Sequence, residues 1–110
     1  MSLSVELYSE NGEVIAEHCG TAFQGWNDCR GLFDALTKGL ELLPAEEAWH
    51  YRELHDLKLL AGYFLPFDVA GAIERFLQLE AGLSEYDREV LRQALPAFRA
   101  AGNGELRWSY

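Results

Sequence analysis

A chain of 110 residues, 49% hydrophobic and 25% charged, has the size and composition of one globular domain, so residues 1–110 are read as a single unit around one core. Its 18 acidic against 9 basic residues give a formal charge of −9, a sign that repels nucleic acid and anionic membrane and attracts basic protein surfaces. With no signal peptide and no long apolar run, Cys19 and Cys29 read as free thiols of a protein of the host cell cytosol.

Residues 4 to 19 alternate around Asn11-Gly12, which predicts a β-hairpin closed by a two-residue type I′ turn. In that register Glu10 faces Glu13, Tyr8 faces Ile15 and Glu6 faces Glu17 on one side. Val5, Leu7, Ser9, Val14, Ala16 and His18 take the other. Gly20 to Trp26 is either a loop or a short third strand. From an N-cap at Asn27 or Asp28, the apolar positions Cys29, Leu32, Phe33, Leu36, Leu40 and Leu43 recur at helical spacing until Pro44.

In "AEEAWHYRELHDLKLLAGYFL", Trp49 and Tyr51 suit a strand while Leu54, Leu57, Leu60 and Ala61 suit a helix, and a strand followed by a turn or helix is expected. "FDVAGAIERFLQLE" after Pro66 predicts a helix closed by Gly82. "LSEYDREVLRQAL" opens with Ser84 and Asp87 at capping-box spacing, and Pro96 is expected to kink or end that helix. After Gly102-Asn103-Gly104, Leu106, Trp108 and Tyr110 alternate as a final strand whose simplest partner is the N-terminal hairpin. The fold class expected is α+β: a small antiparallel sheet, made of that hairpin and the C-terminal strand, packed with about three helices on one face.

Cross-strand like charges are destabilising, so the run Glu6, Glu10, Glu13 and Glu17 has a shape that stability alone does not select. Residues 1 to 29 hold these four and Asp28 but no Lys or Arg. Two readings stand open. The acids are either a solvated face that keeps a strand edge from aggregating, or a flat anionic grid with Tyr8 and Ile15 between its carboxylates, suited to the Arg and Lys of a nucleic-acid-binding groove. Among the aromatics, Trp26 is the candidate interface anchor, the other large rings reading as core.

Metal and catalytic chemistry find little footing. His18, Cys19, Cys29, His50 and His55 include zinc-binding types, but nine residues separate the cysteines, and on a helix His50 and His55 point about 140° apart. His50, His55-Asp56 and Asp68 resemble in order the ligands of metal phosphohydrolases, a reading that requires the four to converge. There is no glycine-rich phosphate loop and no Gly-x-Ser-x-Gly. No catalytic residue, metal or cofactor is therefore expected.

"EEAWHYRELHDL" followed by "FDVAGAIERFLQLEAGLSEYDREVLRQALPAF" resembles the antirestriction proteins of the ArdA type. The resemblance implies an elongated acidic protein of a phage or mobile element that mimics DNA in the groove of a restriction enzyme. It would place Glu74, Glu80, Glu85, Asp87 and Glu89 where that family displays carboxylates. Arg75, Arg88, Arg92 and Arg99 are interspersed among them, and the chain is shorter than the family's three-domain rod. A compact inhibitor using its acidic hairpin is the form expected, similar in kind to small anti-CRISPR proteins.

The partner-binding residues expected are thus Glu6, Tyr8, Glu10, Glu13, Glu17, Trp26 and Asp28, and the partner is the basic surface of a nucleic-acid-processing effector, a CRISPR-Cas or restriction complex. The alternative is an immunity protein that neutralises a cognate toxin such as a nuclease. Neither reading involves direct nucleic-acid or membrane binding. A homodimer through a strand edge or the Trp108-Tyr110 end is compatible with both.

Overall fold

The N-terminal alternation folds as expected into β1 (Ser4–Tyr8) and β2 (Val14–Cys19), antiparallel, with Glu6 opposite Glu17 and Leu7 opposite Ala16. This is a computed structural model; it describes residues 4–19, 22–24, 29–58, 61–64 and 66–109. β3 (Ala22–Gln24) is the short third strand, and β5 (Glu105–Ser109) pairs with β1. β4 (Ala61–Phe64) pairs with β5, so the sheet has five antiparallel strands in the order β3-β2-β1-β5-β4.

The hairpin turn differs from the two-residue form. Gly12 N donates to Ser9 O at 2.9 Å and Ser9 N to Glu13 O at 2.8 Å, so Glu10, Asn11 and Gly12 form a three-residue loop with Ser9, not Glu10, opposite Glu13. Gly12 has φ 80° and no non-glycine residue among the described residues has positive φ; Asn11 thus avoids the left-handed region that a type I′ turn demands of it. The Ser9 hydroxyl accepts from Asn11 N and Glu13 N, both at 3.2 Å, which fixes the loop. A register shift between Leu7 and Tyr8 leaves Ile15 as the extra residue, so Tyr8 pairs with Val14 and Val14 turns to solvent at 45% exposure. Val14 and Ser9 therefore leave the inward face expected of them.

α1 (Cys29–Leu42) matches the stripe read from the sequence, while Asn27 and Asp28 lie outside the described residues. The segment after Pro44 reverses the expected order. α2 (Ala45–Ala48) and a 3₁₀ helix (Trp49–Lys58) come first, and the strand, β4, follows. Tyr51, Leu54 and Leu57 sit three residues apart, which is the 3₁₀ period, and turn inward, leaving Trp49 at 65% exposure.

α3 (Pro66–Leu77) stops short of Gly82 because its end is capped from elsewhere. The Arg88 guanidinium donates to Leu77 O at 3.3 Å and to Leu79 O. α4 (Glu85–Ala101) has the capping box, with Asp87 N donating to Ser84 Oγ at 3.1 Å and Ser84 N to Asp87 Oδ2 at 3.2 Å. Pro96 does not end it. Losing the bond to Arg92 costs about 3 kcal/mol, but Leu91, Ala94, Leu95, Phe98 and Ala101 are all buried, and continuing the helix keeps that stripe intact.

One cluster of buried side chains joins the layers, with Val5, Leu7, Leu106 and Trp108 from the sheet and Leu36, Ile73, Phe76, Leu91 and Phe98 from the helices. Each large apolar side chain so buried contributes roughly 1.5–3 kcal/mol. Phe33 meets Trp108 edge to face at 5.9 Å. At the α4–β5 turn, a Cβ on Gly104 would lie 1.9 Å from Tyr8 O, so only glycine fits at that position against the end of β1. Among the described residues no helix is long and apolar enough to cross a membrane.

Candidate functional site

Burial alternates along β1 and β5, so the helices cover Val5, Leu7, Leu106 and Trp108 while Ser4, Glu6, Tyr8, Glu105, Arg107 and Ser109 occupy the other face, none of them buried. The register lines up that outer face in rows. Tyr63, Arg107, Glu6, Glu17 and Gln24 are successive cross-strand partners over all five strands, a span of about 19 Å. Glu105, Tyr8 and Val14 form the neighbouring row towards the hairpin turn, and Ser109, Ser4 and Cys19 the uncharged row on the other side. Charge therefore gathers at the turn end of the sheet.

The expected grid is present in register and altered in composition. Glu6 sits directly between Glu17 on β2 and Arg107 on β5. The Tyr8 hydroxyl donates to Glu6 Oε2, and the Arg107 guanidinium lies 5.1 Å from the Tyr8 ring centre. Arg107 also bonds Glu105 Oε2 at 2.8 Å, and this bond, followed by the attraction of the Glu105 charge, holds its guanidinium above the ordinary arginine value. The face is thus an acidic field around Arg107 and Tyr8. Glu105 and Arg107 were not singled out from the sequence. Their signal was the alternation Glu105-Leu106-Arg107-Trp108, which puts both opposite the two apolar residues.

Glu10 leaves the face altogether. From the turn, its Oε1 accepts the Asn103 N–H at 2.9 Å and ties the hairpin to the α4–β5 connection. Glu13 is exposed at the tip; Trp26 and Asp28 lie outside the described residues. The structure thus brings together Glu6, Tyr8 and the position of Glu17, with Glu13 at the border.

The carboxylates that the family resemblance points to are mostly engaged internally. Glu74 Oε1 accepts from Arg99 Nη2 at 2.7 Å, Glu89 from Arg92 at 2.9 Å, and Glu85 lies 4.0 Å from Arg92. Burial raises the Asp87 carboxyl, but bonds from the Ser84 backbone and side chain and from Lys38 outweigh it and hold the group below the ordinary aspartate value. Glu47 is likewise lowered, first by its hydrogen bond from Arg75. These pairs describe a self-neutralised helical surface.

His50, His55 and Asp56 are exposed on the 3₁₀ helix, and among the described residues no three His, Cys, Asp or Glu side chains come together. The side chains of Cys19, Cys29 and Asp68 lie outside the described residues. Comparison with protein-family models, with curated proteins and with solved structures finds no match.

Proposed function

We propose that this chain is a non-enzymatic binding protein of the host cytosol that lays the open acidic face of its sheet on the basic surface of a nucleic-acid-processing effector, a CRISPR-Cas or restriction complex, as a nucleic-acid mimic. The observation that carries this is the uncovered face itself. Helices bury one side of β1 and β5, while the other carries Glu6 and Glu105, both half-buried, with Glu17 in register opposite Glu6 and Glu13 exposed at the hairpin tip. Acid on an open, rigid sheet gives a partner's arginines fixed acceptors at strand spacing, and the field steers a cationic partner in. The likeness to ArdA-type antirestriction proteins points to the same class of target.

A second reading, an immunity protein against one cognate toxin, is favoured by Arg107 stacked on Tyr8 amid the acids. An arginine and a tyrosine at the centre of a face suit one shape-matched protein better than a series of phosphate sites.

The test is capture from host lysate at low salt, elution at high salt, and identification of what is released, followed by the same capture with Glu6, Glu13 and Glu17 changed to Gln. A Cas or restriction complex lost with the triple variant supports the first reading, and a single small basic toxin lost in the same way supports the second. A partner held undiminished by the triple variant overturns the acidic face as the site.

A further inference from the structure

Between α3 and α4 lies a cleft of about 290 Å³, lined by Ala70, Gly71, Glu74, Phe98, Arg99 and Gly102. Its floor is apolar: Phe98 and Ala70 are buried. Its rim is charged. Arg99 Nε and Nη2 both donate to Glu74 Oε1, at 3.0 and 2.7 Å, and Glu10 stands beside the lining residue Gly102, where a Cβ would lie 2.8 Å from Glu10 Oε1. Each carboxylate has more acceptor sites than these bonds fill, and Glu10 beside the Glu74–Arg99 pair gives the surroundings of the mouth one acid in excess.

Gly71 is the telling residue. Gly12, Gly82 and Gly102 have positive φ, and side chains at Gly39 and Gly104 would collide with Phe76 and with the Tyr8 backbone. At Gly71, inside α3, neither holds: a Cβ there would meet nothing within 4 Å. A glycine in a helix interior costs roughly 0.5–1 kcal/mol against alanine, and here the fold gains nothing for that cost. What the missing side chain does provide is depth in the cleft.

The geometry points to a site for an arginine side chain of the protein partner, its aliphatic stem on Gly71, Ala70 and Phe98 and its guanidinium between Glu10 and Glu74. Long basic side chains combine an apolar stem with a charged head, as this cleft combines an apolar floor with a net acidic rim. The inference rests on the proposed reading of a basic protein partner and supplies it with a specific anchor away from the sheet face.

The probe is a short acetylated and amidated peptide, Ala-Arg-Ala, titrated into the isotope-labelled protein with amide chemical shifts followed, beside the same peptide carrying the neutral isostere citrulline. Expected are saturable millimolar shifts centred on Gly71, Glu74 and Gly102, with citrulline weaker by roughly tenfold or more through loss of the charge-assisted bonds. Gly71→Leu, whose Cβ meets nothing within 4 Å, places an apolar side chain at the cleft and is expected to abolish those shifts while the melting temperature does not fall. Citrulline binding as well as arginine, a glutamate peptide titrating the same amides, or unchanged binding to Gly71→Leu would each overturn the site. Shifts confined to Glu6, Tyr8 and Arg107 would overturn it while leaving the sheet-face reading standing. No saturable shift anywhere would overturn the site, the sheet-face reading being decided by the capture with the triple variant.

Discussion

Around the helices, Arg75 pairs with Glu47, Arg92 with Glu85 and Glu89, Arg99 with Glu74 and Lys38 with Asp87, whereas the hairpin and β5 together carry Glu6, Glu10, Glu13, Glu17 and Glu105 with Arg107 as their one cation. Residues 29–104 hold twelve acidic and eight basic residues, a net of −4; residues 1–28 and 105–110 together hold six and one, a net of −5. Similar excesses in chain segments of such different length do different work. Exposed pairs on helices add little stability each and mostly cancel one another's field. Acids with few cations nearby keep their field, which under the proposed function is what a basic partner meets first.

That contrast predicts that core changes in the helical layer act on stability and face changes act on binding. The largest effect is expected for Phe76→Ala, which empties the space between α3 and α1 where the ring packs against Gly39, at a cost of about 3–5 kcal/mol in urea denaturation. Gly104→Ala comes next. Its Cβ must push the Tyr8 carbonyl away and so open the β1–β5 junction under the candidate face, costing about 2–3 kcal/mol and disturbing the Glu105 and Arg107 amides in NMR spectra.

Asp87 sharpens the comparison through pH. Its folded value lies below the unfolded one, so its contribution is full above the ordinary aspartate range and is lost as pH falls from about 4 through the depressed folded value. Ser84→Ala, which removes one half of the capping box, is expected to cost about 1 kcal/mol at neutral pH. Asp87→Asn should erase the acid-side loss that this group causes in wild type. If both variants kept the wild-type stability profile from neutral to acid pH, the capping box would not be what holds the start of α4.

The smallest stability effect belongs to the face. Glu17→Gln removes one of two like charges set opposite each other and is expected to stabilise by a few tenths of a kcal/mol at low salt, fading in high salt. Arg107→Gln, leaving Glu6 and Glu105 without their cation, should shift stability the other way with the same salt dependence. Equal effects at low and high salt would show that packing, not charge, sets them. If Glu17→Gln weakened partner capture far more than it changed stability, the division of labour would stand.

Local pattern in the sequence was enough for β1, β2, α1, α3, the Ser84–Asp87 cap of α4 and β5, because alternation, 3.6-residue spacing and capping chemistry act over a few neighbours. The same reasoning placed Glu6 opposite Glu17, since a hairpin's register follows from its own turn region. It missed the extra residue Ile15, because a three-residue loop and a bulge can trade against a two-residue loop and leave that pair unchanged. Tertiary structure alone decided the rest. β4 is four residues with no amphipathic stripe and became a strand only because β5 offered an edge. The Trp49–Lys58 segment turned 3₁₀-helical on either side of a kink at Tyr51 because Tyr51, Leu54 and Leu57 found the core at a spacing of three. The Glu10 carboxylate found Asn103 across 93 positions of chain, and Arg107 entered the acidic face from the far terminus. Such contacts depend on where distant segments meet, which composition and periodicity do not encode, and they determine what the acidic surface presents to a partner.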